Sequence, residues 1–430
     1  MTQAWLECSV CSARASLEAF GICAACDADG RLGVLEVNYR ALAERDATAL
    51  QPVASPGVWR WRSLLPVLKG AQMLLSLDEG QTPLLRADER IAPTVAPAVW
   101  LKYEGKNPTH SFKDRFQAVA ISAAAALGFT RIVCASTGNH GVAASAYATR
   151  AGLECVVLTH EEVPNAHVEA IRQFGATPVA VPPSARSQLL RRLVESGWYP
   201  ATTHWPLPVA NPYGIEGYKT IAFEIAEQLG REQAASARVF VPVGGGDSMY
   251  GIYKGFKELV QLGALTRAPR MYACQPQGAA PLAAAQARGT SDVPTVETDR
   301  SPALSIREAE TGGHALRALR ESGGQAVAVS DDSIMDAASR LASFGLSVDP
   351  ASAASLAGAL QLLKHKTVDD GGPLVCILTA SGARWPQPPG WPMRGAQLAA
   401  NSADQAYRAI VALSSNQANE SSTAPLRATT

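Results

Sequence analysis

The sequence lacks an excess of charge of either sign. Its 430 residues contain 38 Lys and Arg against 38 Asp and Glu, so the formal net charge at pH 7 is zero. A protein that binds nucleic acid or an anionic membrane by general electrostatic attraction needs a surplus of basic residues. We therefore expect no nucleic-acid partner and no membrane partner.

Long apolar segments are missing as well. No run of 18 or more apolar residues occurs, so we expect no membrane-spanning helix. Residues 1–7 have neither the basic segment nor the apolar core of a secretory signal. These absences favour a cytoplasmic protein, and the length is sufficient for two or three domains with a sizeable core.

Four of the eight cysteines have little to distinguish them. Cys134, Cys155, Cys274 and Cys376 each lie within a short apolar run. A free cysteine in such a run behaves as a small hydrophobic residue. We expect these four side chains to be buried in strands.

The other four cysteines form two C-x₂-C pairs near the N-terminus. Cys8 and Cys11 are separated by eleven residues from Cys23 and Cys26. Two such pairs are typical of tetrahedral zinc ligation, and four thiolates close the shell, so the metal is expected to be structural. The alternative is a degenerate zinc ribbon that binds no metal ion. Disulfides are disfavoured in a reducing cytosol.

From residue 81 onward, short apolar runs alternate with longer helical segments. This alternation predicts a largely parallel sheet covered by helices on both faces. The predicted strands cover residues 99–103, 131–135, 155–159, 177–181, 239–243, 270–274 and 374–379. A helical pattern is also present at residues 35–53, and a short helix is expected at about 399–413. Residues 414–430 are rich in Ser, Asn and Thr and are expected to be disordered.

Lys113 lies in the first turn of a predicted helix. Asn107 and Pro108 block helix formation before the turn, Ser111 is the expected N-cap, and Gly128 ends the helix. A lysine in an apolar setting costs less as a neutral amine, or as an imine with an aldehyde cofactor. Most lysines near helix starts are solvated, so this interpretation needs support from elsewhere in the chain.

Three strand-to-helix or strand-end segments supply that support. Ser136, Thr137 and Asn139 gather hydroxyls and an amide at a helix start, which suits a carboxylate, although an ordinary capped turn is the alternative. The glycines at 244–246 let the backbone approach a phosphate closely, although a bare tight turn would look the same. Thr379 ends a buried strand, where a neutral hydroxyl is available to an aromatic nitrogen.

Neither G-x-G-x-x-G nor the Walker pattern is present, which disfavours dinucleotides and nucleotide triphosphates. A lysine, a phosphate cradle, a carboxylate loop and a neutral hydroxyl at strand ends of one sheet match an aldehyde that bears a phosphate and a pyridine ring. The residues therefore predict pyridoxal phosphate as the cofactor.

The chain resembles threonine synthase, within the tryptophan synthase β (fold type II) group of pyridoxal phosphate enzymes, from the cysteine pairs to about Pro386. The landmarks are GVWRW at 57–61, LLP at 64–66, EGQTPL at 79–84, NPT at 107–109 with SFKDR at 111–115, STGN at 136–139, NPY at 211–213, EGYKT at 216–220 and DPASAA at 349–354. The number and order of these matches make the resemblance specific.

The resemblance implies an α/β fold with two three-layer αβα domains, mainly parallel sheets and a small N-terminal zinc-ribbon-like segment with four cysteine ligands. It also implies a homodimer. The expected domains are residues 1–35 (ribbon), 36–97 (an extension contributing to the large domain), 98–210 (small, mobile domain), 211–390 (large domain with the phosphate loop) and 391–430 (C-terminal helix and tail).

Residue roles follow from the resemblance by position. Lys113 would be the Schiff-base lysine and proton shuttle. The remaining assignments are Asn139 to the cofactor's phenolic oxygen, Gly244, Gly245, Gly246, Asp247 and Ser248 to its phosphate, Thr379 to its ring nitrogen, and Ser136 and Thr137 to the substrate carboxylate. A hydroxyl at the ring nitrogen leaves that nitrogen unprotonated, which favours elimination or replacement over transamination.

The expected activity is that of a threonine synthase-like lyase, which converts O-phosphohomoserine and water to threonine and phosphate or acts on a closely related amino acid. His110 stands where synthases usually carry glycine, and His140 and the triple glycine lean towards serine/threonine dehydratases. The alternative is therefore a β-elimination or β-replacement enzyme. His110 and His140 either contact substrate or are packed side chains. Two non-enzymatic hypotheses remain, an amino-acid-binding or regulatory protein on the same scaffold and a zinc-ribbon nucleic-acid module.

Overall fold

Two separate sheets organise most of the chain in this computed structural model. The structure describes residues 4–19, 21–30, 33–39, 50–69, 71, 73–92, 97–136, 138–204, 209–365 and 371–385, together with 402, 405 and 408. The strands are β1 Ala4–Cys8, β2 Arg14–Ala15, β3 Leu35–Tyr39, β4 Leu84–Arg86, β5 Val99–Tyr103, β6 Arg131–Ala135, β7 Glu154–Thr159, β8 Thr177–Ala180, β9 Tyr199–Pro200, β10 Thr203–His204, β11 Val209–Ala210, β12 Arg238–Pro242, β13 Arg270–Pro276, β14 Gln325–Val329 and β15 Leu374–Leu378.

Helices connect most of these strands. They are α1 Ala24–Ala28, α2 Lys113–Ala126, α3 Asn139–Ala151, α4 Asn165–Gln173, α5 Pro183–Glu195, α6 Pro212–Leu229, α7 Arg231–Ser236, α8 Asp247–Gln261, α9 Pro281–Arg288, α10 Gly313–Ser322, α11 Asp331–Ser343 and α12 Pro350–Lys364. None of the helices in the described part of the chain has the length and apolar character that crossing a bilayer requires.

The larger sheet has six strands in the order β14-β13-β12-β15-β5-β4, and all its pairs are parallel except β4 with β5. Every residue of β12 and of β15 is buried. Such continuous burial is expected where helices cover both faces of a parallel sheet. The ends of β12 and β15 are adjacent because the two strands pair directly.

The smaller sheet has four parallel strands in the order β8-β7-β6-β9. Helix α3 leaves the end of β6, so its first residues lie at the carboxyl edge of that sheet. The α/β fold class and the seven predicted strands are confirmed, as is the burial of Cys134, Cys155, Cys274 and Cys376. The domain bounds stay a prediction. Strand β5 pairs with β15 in the six-stranded sheet, although its residues fall within the range expected for the small domain.

A third, antiparallel sheet contains β1, β2 and β3 near the N-terminus. The helix predicted at residues 35–53 is wrong at its start, where the chain forms β3. Leu35, Val37 and Tyr39 are buried while Asn38 is exposed, so burial alternates with the period of a strand. Residues 40–49 lie outside the described part. So do the residues predicted as a C-terminal helix and tail, apart from 402, 405 and 408.

Candidate active site

Lys113 is the first residue of α2, as the sequence predicts, but it is not introduced by a side-chain cap. Phe112 occupies the N-cap position, and Ser111 Oγ is buried without a hydrogen-bond partner in the described part of the chain. The expected capping role of Ser111 is therefore wrong. The backbone explains why, because Ser111 instead forms an antiparallel bridge with Ala380.

Backbone hydrogen bonds join the loop before Lys113 to the end of β15. The N–H of Phe112 donates to the carbonyl of Thr379 at 2.9 Å, and the N–H of Ser381 donates to the carbonyl of His110 at 2.9 Å. His110 adopts a left-handed conformation with φ of 62°. This conformation is uncommon for residues with a side chain, which gives a physical reason for glycine at such a position.

A buried ionic network fixes the start of α2 against β5 and α6. Arg115 Nε lies 2.7 Å from Glu104 Oε2, and Arg115 Nη1 lies 2.6 Å from Glu224 Oε1. Lys102 Nζ lies 2.6 Å from Glu224 Oε2. Burial alone raises the pKa of Glu224, but the charges of Arg115 and Lys102 outweigh it and hold that pKa well below its usual range. Because all four side chains are buried and paired, α2 has little freedom to shift.

The Lys113 amine lies among aromatic rings. Its Nζ is 4.7 Å from the ring centroid of Phe112 and 5.7 Å from that of Tyr218. Burial lowers the pKa of Lys113, although the charges of Asp247 and Glu308 oppose the shift. A depressed amine pKa raises the fraction of neutral, nucleophilic lysine at physiological pH.

The predicted cofactor residues line one cavity beside that amine. Its walls are formed by Phe112, Lys113, Asn139, Pro242, Gly244, Gly245, Gly246, Asp247, Ser248, Ser305, Ile306, Thr379 and Ala380. The cavity lies at the carboxyl ends of β12 and β15, where ligands of parallel sheets bind. Thr379 Oγ1 also lies 2.9 Å from Ser352 Oγ, which helps to orient the threonine side chain.

The glycine loop between β12 and α8 is shaped for an anion. A Cβ on Gly246, whose φ is +104°, would meet Ala315 Cβ at 2.7 Å, whereas a Cβ on Gly245 would meet nothing nearer than Asp247 Oδ2 at 3.9 Å. The N–H of Gly312 donates to the carbonyl of Gly245 at 2.9 Å and holds the loop in place. The loop leads into the N-terminus of α8, whose partial positive charge favours a phosphate. These residues therefore fit the phosphate of pyridoxal phosphate.

Asp247 is the one acidic residue in this loop, and its carboxylate has a nearby basic partner. Its Oδ1 lies 3.2 Å from His314 Nε2, at the start of α10. A carboxylate near a phosphate is unfavourable unless another group compensates for its charge. A proton on His314 Nε2 would compensate for that charge.

The carboxylate loop is only partly described. Ser136 Oγ accepts hydrogen bonds from the N–H groups of Gly138 at 3.1 Å and Gly141 at 2.9 Å, so its hydroxyl caps the turn. Thr137 lies outside the described residues. Asn139 Oδ1 lies 3.2 Å from His167 Nε2, which orients the amide at the cavity wall.

The two histidine candidates have different surroundings. His140 Nε2 is buried without a partner in the described part of the chain, and its ring is 4.7 Å from that of Phe116. Burial and the charge of Lys113 lower the pKa of His140 far below its usual value, so this imidazole is neutral at pH 7. His110 is exposed, and partial burial together with the charge of Arg384 lowers its pKa. His140 thus lies near Lys113, while His110 lies towards the solvent.

Sequence reasoning missed three residues near the site. The Tyr218 ring stacks on Phe112 at 5.0 Å, and its buried hydroxyl has no partner in the described part of the chain. Arg384 donates a hydrogen bond to the carbonyl of Thr109, and His167 contacts Asn139. Tyr218 belongs to the EGYKT landmark, but all three residues lie far from the Lys113 loop in sequence, so no local pattern predicts these contacts.

The four N-terminal cysteines form a compact cluster, as their spacing predicts. All four Sγ atoms lie within 4.8 Å of one another. Cys8 Sγ is 3.7 Å from Cys26 Sγ, and Cys11 Sγ is 3.6 Å from Cys23 Sγ. A Cβ on Gly33 would lie 2.7 Å from Cys8 Sγ, so this glycine leaves room for the cluster. The arrangement suits a tetrahedral metal ion.

Comparisons with known proteins agree with this geometry. Residues 75–380 match the family described as "Pyridoxal-phosphate dependent enzyme". The chain is 35% identical over 362 residues to the threonine synthase of Methanocaldococcus jannaschii, covering 82% of this chain and 87% of that protein. It is 34% identical over 389 residues to the threonine synthase of Methanosarcina acetivorans, covering 89% and 92%. It is also 37% identical over 355 residues to that of Synechocystis, covering 79% and 87%.

Solved structures with lower sequence identity share the fold. Maize serine racemase superposes with a TM-score of 0.61 at 21% identity, covering 71% of this chain and 89% of that one. Threonine deaminase isoform 2 from Solanum lycopersicum superposes with a TM-score of 0.58 at 21% identity, covering 71% and 84%. These likenesses confirm the fold type II architecture.

Proposed function

Because the chain belongs to the pyridoxal-phosphate dependent enzyme family and is a threonine synthase-like lyase, we propose that it converts O-phosphohomoserine and water to threonine and phosphate. One observation carries the proposal. Lys113, Asn139, the glycine loop and Thr379 share one cavity, in a chain similar to threonine synthases over most of its length.

The cofactor would be held at three points of this cavity. The N–H groups of residues 244–248 would bind its phosphate, Asn139 its phenolic oxygen and Thr379 its ring nitrogen. When bound, pyridoxal phosphate supplies the electron sink that makes the α-proton of an amino acid acidic. Thr379 is a neutral partner, which favours elimination and replacement chemistry.

Lys113 would move protons within the site. Its amine, with a pKa lowered by burial, would accept the α-proton of the substrate and return protons to neighbouring carbons as the phosphate leaves. The ionic network around Arg115 would keep the amine in place during these transfers. Ser136, Thr137, His110 and His140 remain our candidates for substrate contacts.

A second candidate function is β-elimination or β-replacement on serine, threonine or a related amino acid. The side of the site near Lys113 that contains Phe112, Phe116, His140 and Tyr218 is uncharged at neutral pH. An uncharged wall suits a small, uncharged side chain better than a dianion. The uncharged wall therefore favours β-elimination or β-replacement, unless a cation elsewhere in the site binds the phosphate of O-phosphohomoserine.

We also propose a zinc ion at Cys8, Cys11, Cys23 and Cys26, where the close approach of four thiols supports it. A closed shell of four thiolates would stabilise the N-terminal sheet and take no part in the reaction. The predicted division into a small domain at 98–210 and a large domain at 211–390 remains part of the proposal, as do the homodimer and the cytoplasmic location.

Phosphate release from O-phosphohomoserine by the cofactor-saturated protein tests the proposed activity. We expect stoichiometric threonine and phosphate from the native protein, and neither from Lys113→Ala. Lys257→Ala, an exposed lysine on α8, is the control and should behave as the native protein. Ammonia and keto acid from serine or threonine, without phosphate release, would select the alternative.

Borohydride reduction followed by peptide mass spectrometry tests the lysine itself. The cofactor label is expected on the peptide that contains Lys113. A label elsewhere, or none on cofactor-saturated protein, would contradict the assignment of this lysine.

A further inference from the structure

Arg384 lies near the active site without an acidic partner. It ends the 3₁₀ turn Gly382–Arg384, five residues beyond Thr379, and one of its Nη atoms donates to the carbonyl of Thr109. Its Nε is buried without a hydrogen-bond partner in the described part of the chain. A carbonyl is a neutral acceptor, so this bond leaves the guanidinium charge uncompensated.

No carboxylate of the described residues lies within 4.0 Å of that guanidinium. Asp114 is near enough to act on it electrostatically, but Asp114 is engaged by Thr109, whose N–H and hydroxyl lie 2.7 Å and 2.6 Å from its two oxygens. Burial raises the pKa of Asp114 to about 7, so the carboxyl is partly protonated at neutral pH. It compensates Arg384 only weakly.

The two imidazoles near Arg384 supply no negative charge, because both are neutral at pH 7. The charge of Arg384 contributes to lowering the pKa of His110, and burial together with that charge lowers the pKa of His167 to about 4. A partly buried cation that has no carboxylate in contact is costly unless an anion reaches it. The site thus has a place for an anion that the protein does not itself supply.

The chain at Arg384 and Trp385 contacts two segments that lead to the cofactor cavity, the loop before Lys113 and the region of His167. Thr109 lies four residues before Lys113. On the other side, Trp385 meets His167 edge-on with ring centroids 5.4 Å apart, and His167 Nε2 contacts the Asn139 amide at 3.2 Å. An anion at Arg384 would therefore lie near both Asn139 and the loop that carries Lys113, a position suited to the distal group of a substrate.

We propose that Arg384 binds the phosphate monoester of the substrate and so determines the preference for O-phosphohomoserine over uncharged amino acids. This inference rests on the proposed function and deepens it. The guanidinium offers a planar pair of donors that matches a phosphate, which a lysine cannot reproduce.

Steady-state kinetics of Arg384→Gln in the holoenzyme test this role. Loss of a charge-assisted hydrogen bond predicts that KM for O-phosphohomoserine rises about 10- to 100-fold. The absorbance of the bound cofactor and the rate of serine elimination should stay within about twofold of the native protein. Arg172→Gln, at an exposed arginine in the last turn of α4, is the matched control and should leave the kinetics with either substrate unchanged.

Inorganic phosphate provides a readout that does not need O-phosphohomoserine turnover. In cofactor-saturated native protein we expect phosphate to perturb the cofactor absorbance and to compete with amino-acid substrates, and both effects should be lost in Arg384→Gln. Arg384→Lys keeps the charge and should recover part of the phosphate affinity. If Arg384→Gln does not fold, the lysine variant still allows the comparison with the native protein.

An equal loss for charged and uncharged substrates, or unchanged phosphate binding in Arg384→Gln, would overturn the proposal and leave Arg384 as a structural tie to Thr109. If the native protein binds inorganic phosphate through Arg384 but does not turn over O-phosphohomoserine, the proposed function fails while the anion subsite stands.

Discussion

The N–H of Phe112 donates a hydrogen bond to the carbonyl of Thr379 over 2.9 Å. This backbone bond connects the residue before the proposed cofactor lysine to the residue proposed to face the cofactor's ring nitrogen. Because it involves no side chain, the separation of Lys113 from Thr379 is set by main-chain geometry. Side-chain substitutions at 379 therefore change the chemistry at that point without moving the lysine.

Thr379→Val is expected to weaken cofactor binding while leaving its attachment to Lys113 intact. Valine matches the shape of threonine but removes the hydroxyl, and a hydrogen bond of this kind contributes about 1 kcal/mol, or roughly a fivefold change in affinity. Absorbance titration of the cofactor-free protein measures the dissociation constant. Thr379→Ser keeps the hydroxyl and is the control. Equal weakening in both variants would show that the fit of the whole side chain, and not the hydroxyl alone, determines binding.

Local patterns in the sequence predicted much of the fold. Strands such as β6 and β15 are short apolar runs between helices, and the period and burial of such runs are local properties. The same reasoning went wrong at residues 35–39, where apolar residues at 35, 37 and 39 are compatible with a strand that pairs with β1. This alternation is a local strand signal, but five residues are too few to exclude a helix, and the partner strand that stabilises β3 lies 27 or more residues away.

The cofactor residues were predictable because each lies at a strand end or a helix start. Lys113, Asn139, the glycines and Thr379 carry recognisable chemistry at such positions, and parallel strands bring those ends together. The placement of Arg384 beside Thr109 and of Tyr218 beside Phe112 was not predictable, because each contact depends on the crossing of distant segments. The pairing of Lys102 and Arg115 with Glu224 likewise joins residues more than 100 positions apart.

The buried ionic network predicts a large stability loss on Glu224→Gln. The substitution would leave Lys102 and Arg115 buried with only Glu104 to compensate them, and breaking such a pair typically costs about 3–5 kcal/mol. Urea unfolding monitored by circular dichroism measures the change. Glu227→Gln is a matched control on the same helix, since Glu227 is exposed and its bond to Arg60, at 3.0 Å, should contribute at most about 1 kcal/mol. A similar loss in both variants would contradict the role of the network.

The cysteine cluster predicts one zinc ion per chain that is independent of the cofactor. Cys8→Ser replaces one of four thiolates and is expected to lower the bound zinc and destabilise the N-terminal sheet. Metal analysis and the cofactor absorbance, measured on the same sample, separate the two sites. Cys155→Ala is the control, because Cys155 lies in β7 outside the cluster, and this variant should bind as much zinc as the native protein. Native protein without zinc after purification in metal-supplemented medium would argue for an empty ribbon.

Asp114 predicts a pH dependence of stability with a definite sign. Its folded-state pKa of about 7 is raised by burial above the unfolded value near 4, so between these limits the folded state binds more protons than the unfolded state. Stability from this group is present at low pH and falls as pH rises from about 4 to 7, by at most about 1.4 kcal/mol per pH unit. Other buried carboxyls such as Glu79 also titrate, so the comparison is with Asp114→Asn, in which their contribution remains. Between pH 5 and pH 7, the unfolding free energy of the native protein should fall more than that of Asp114→Asn. An equal change in both proteins would show that Asp114 keeps an ordinary pKa.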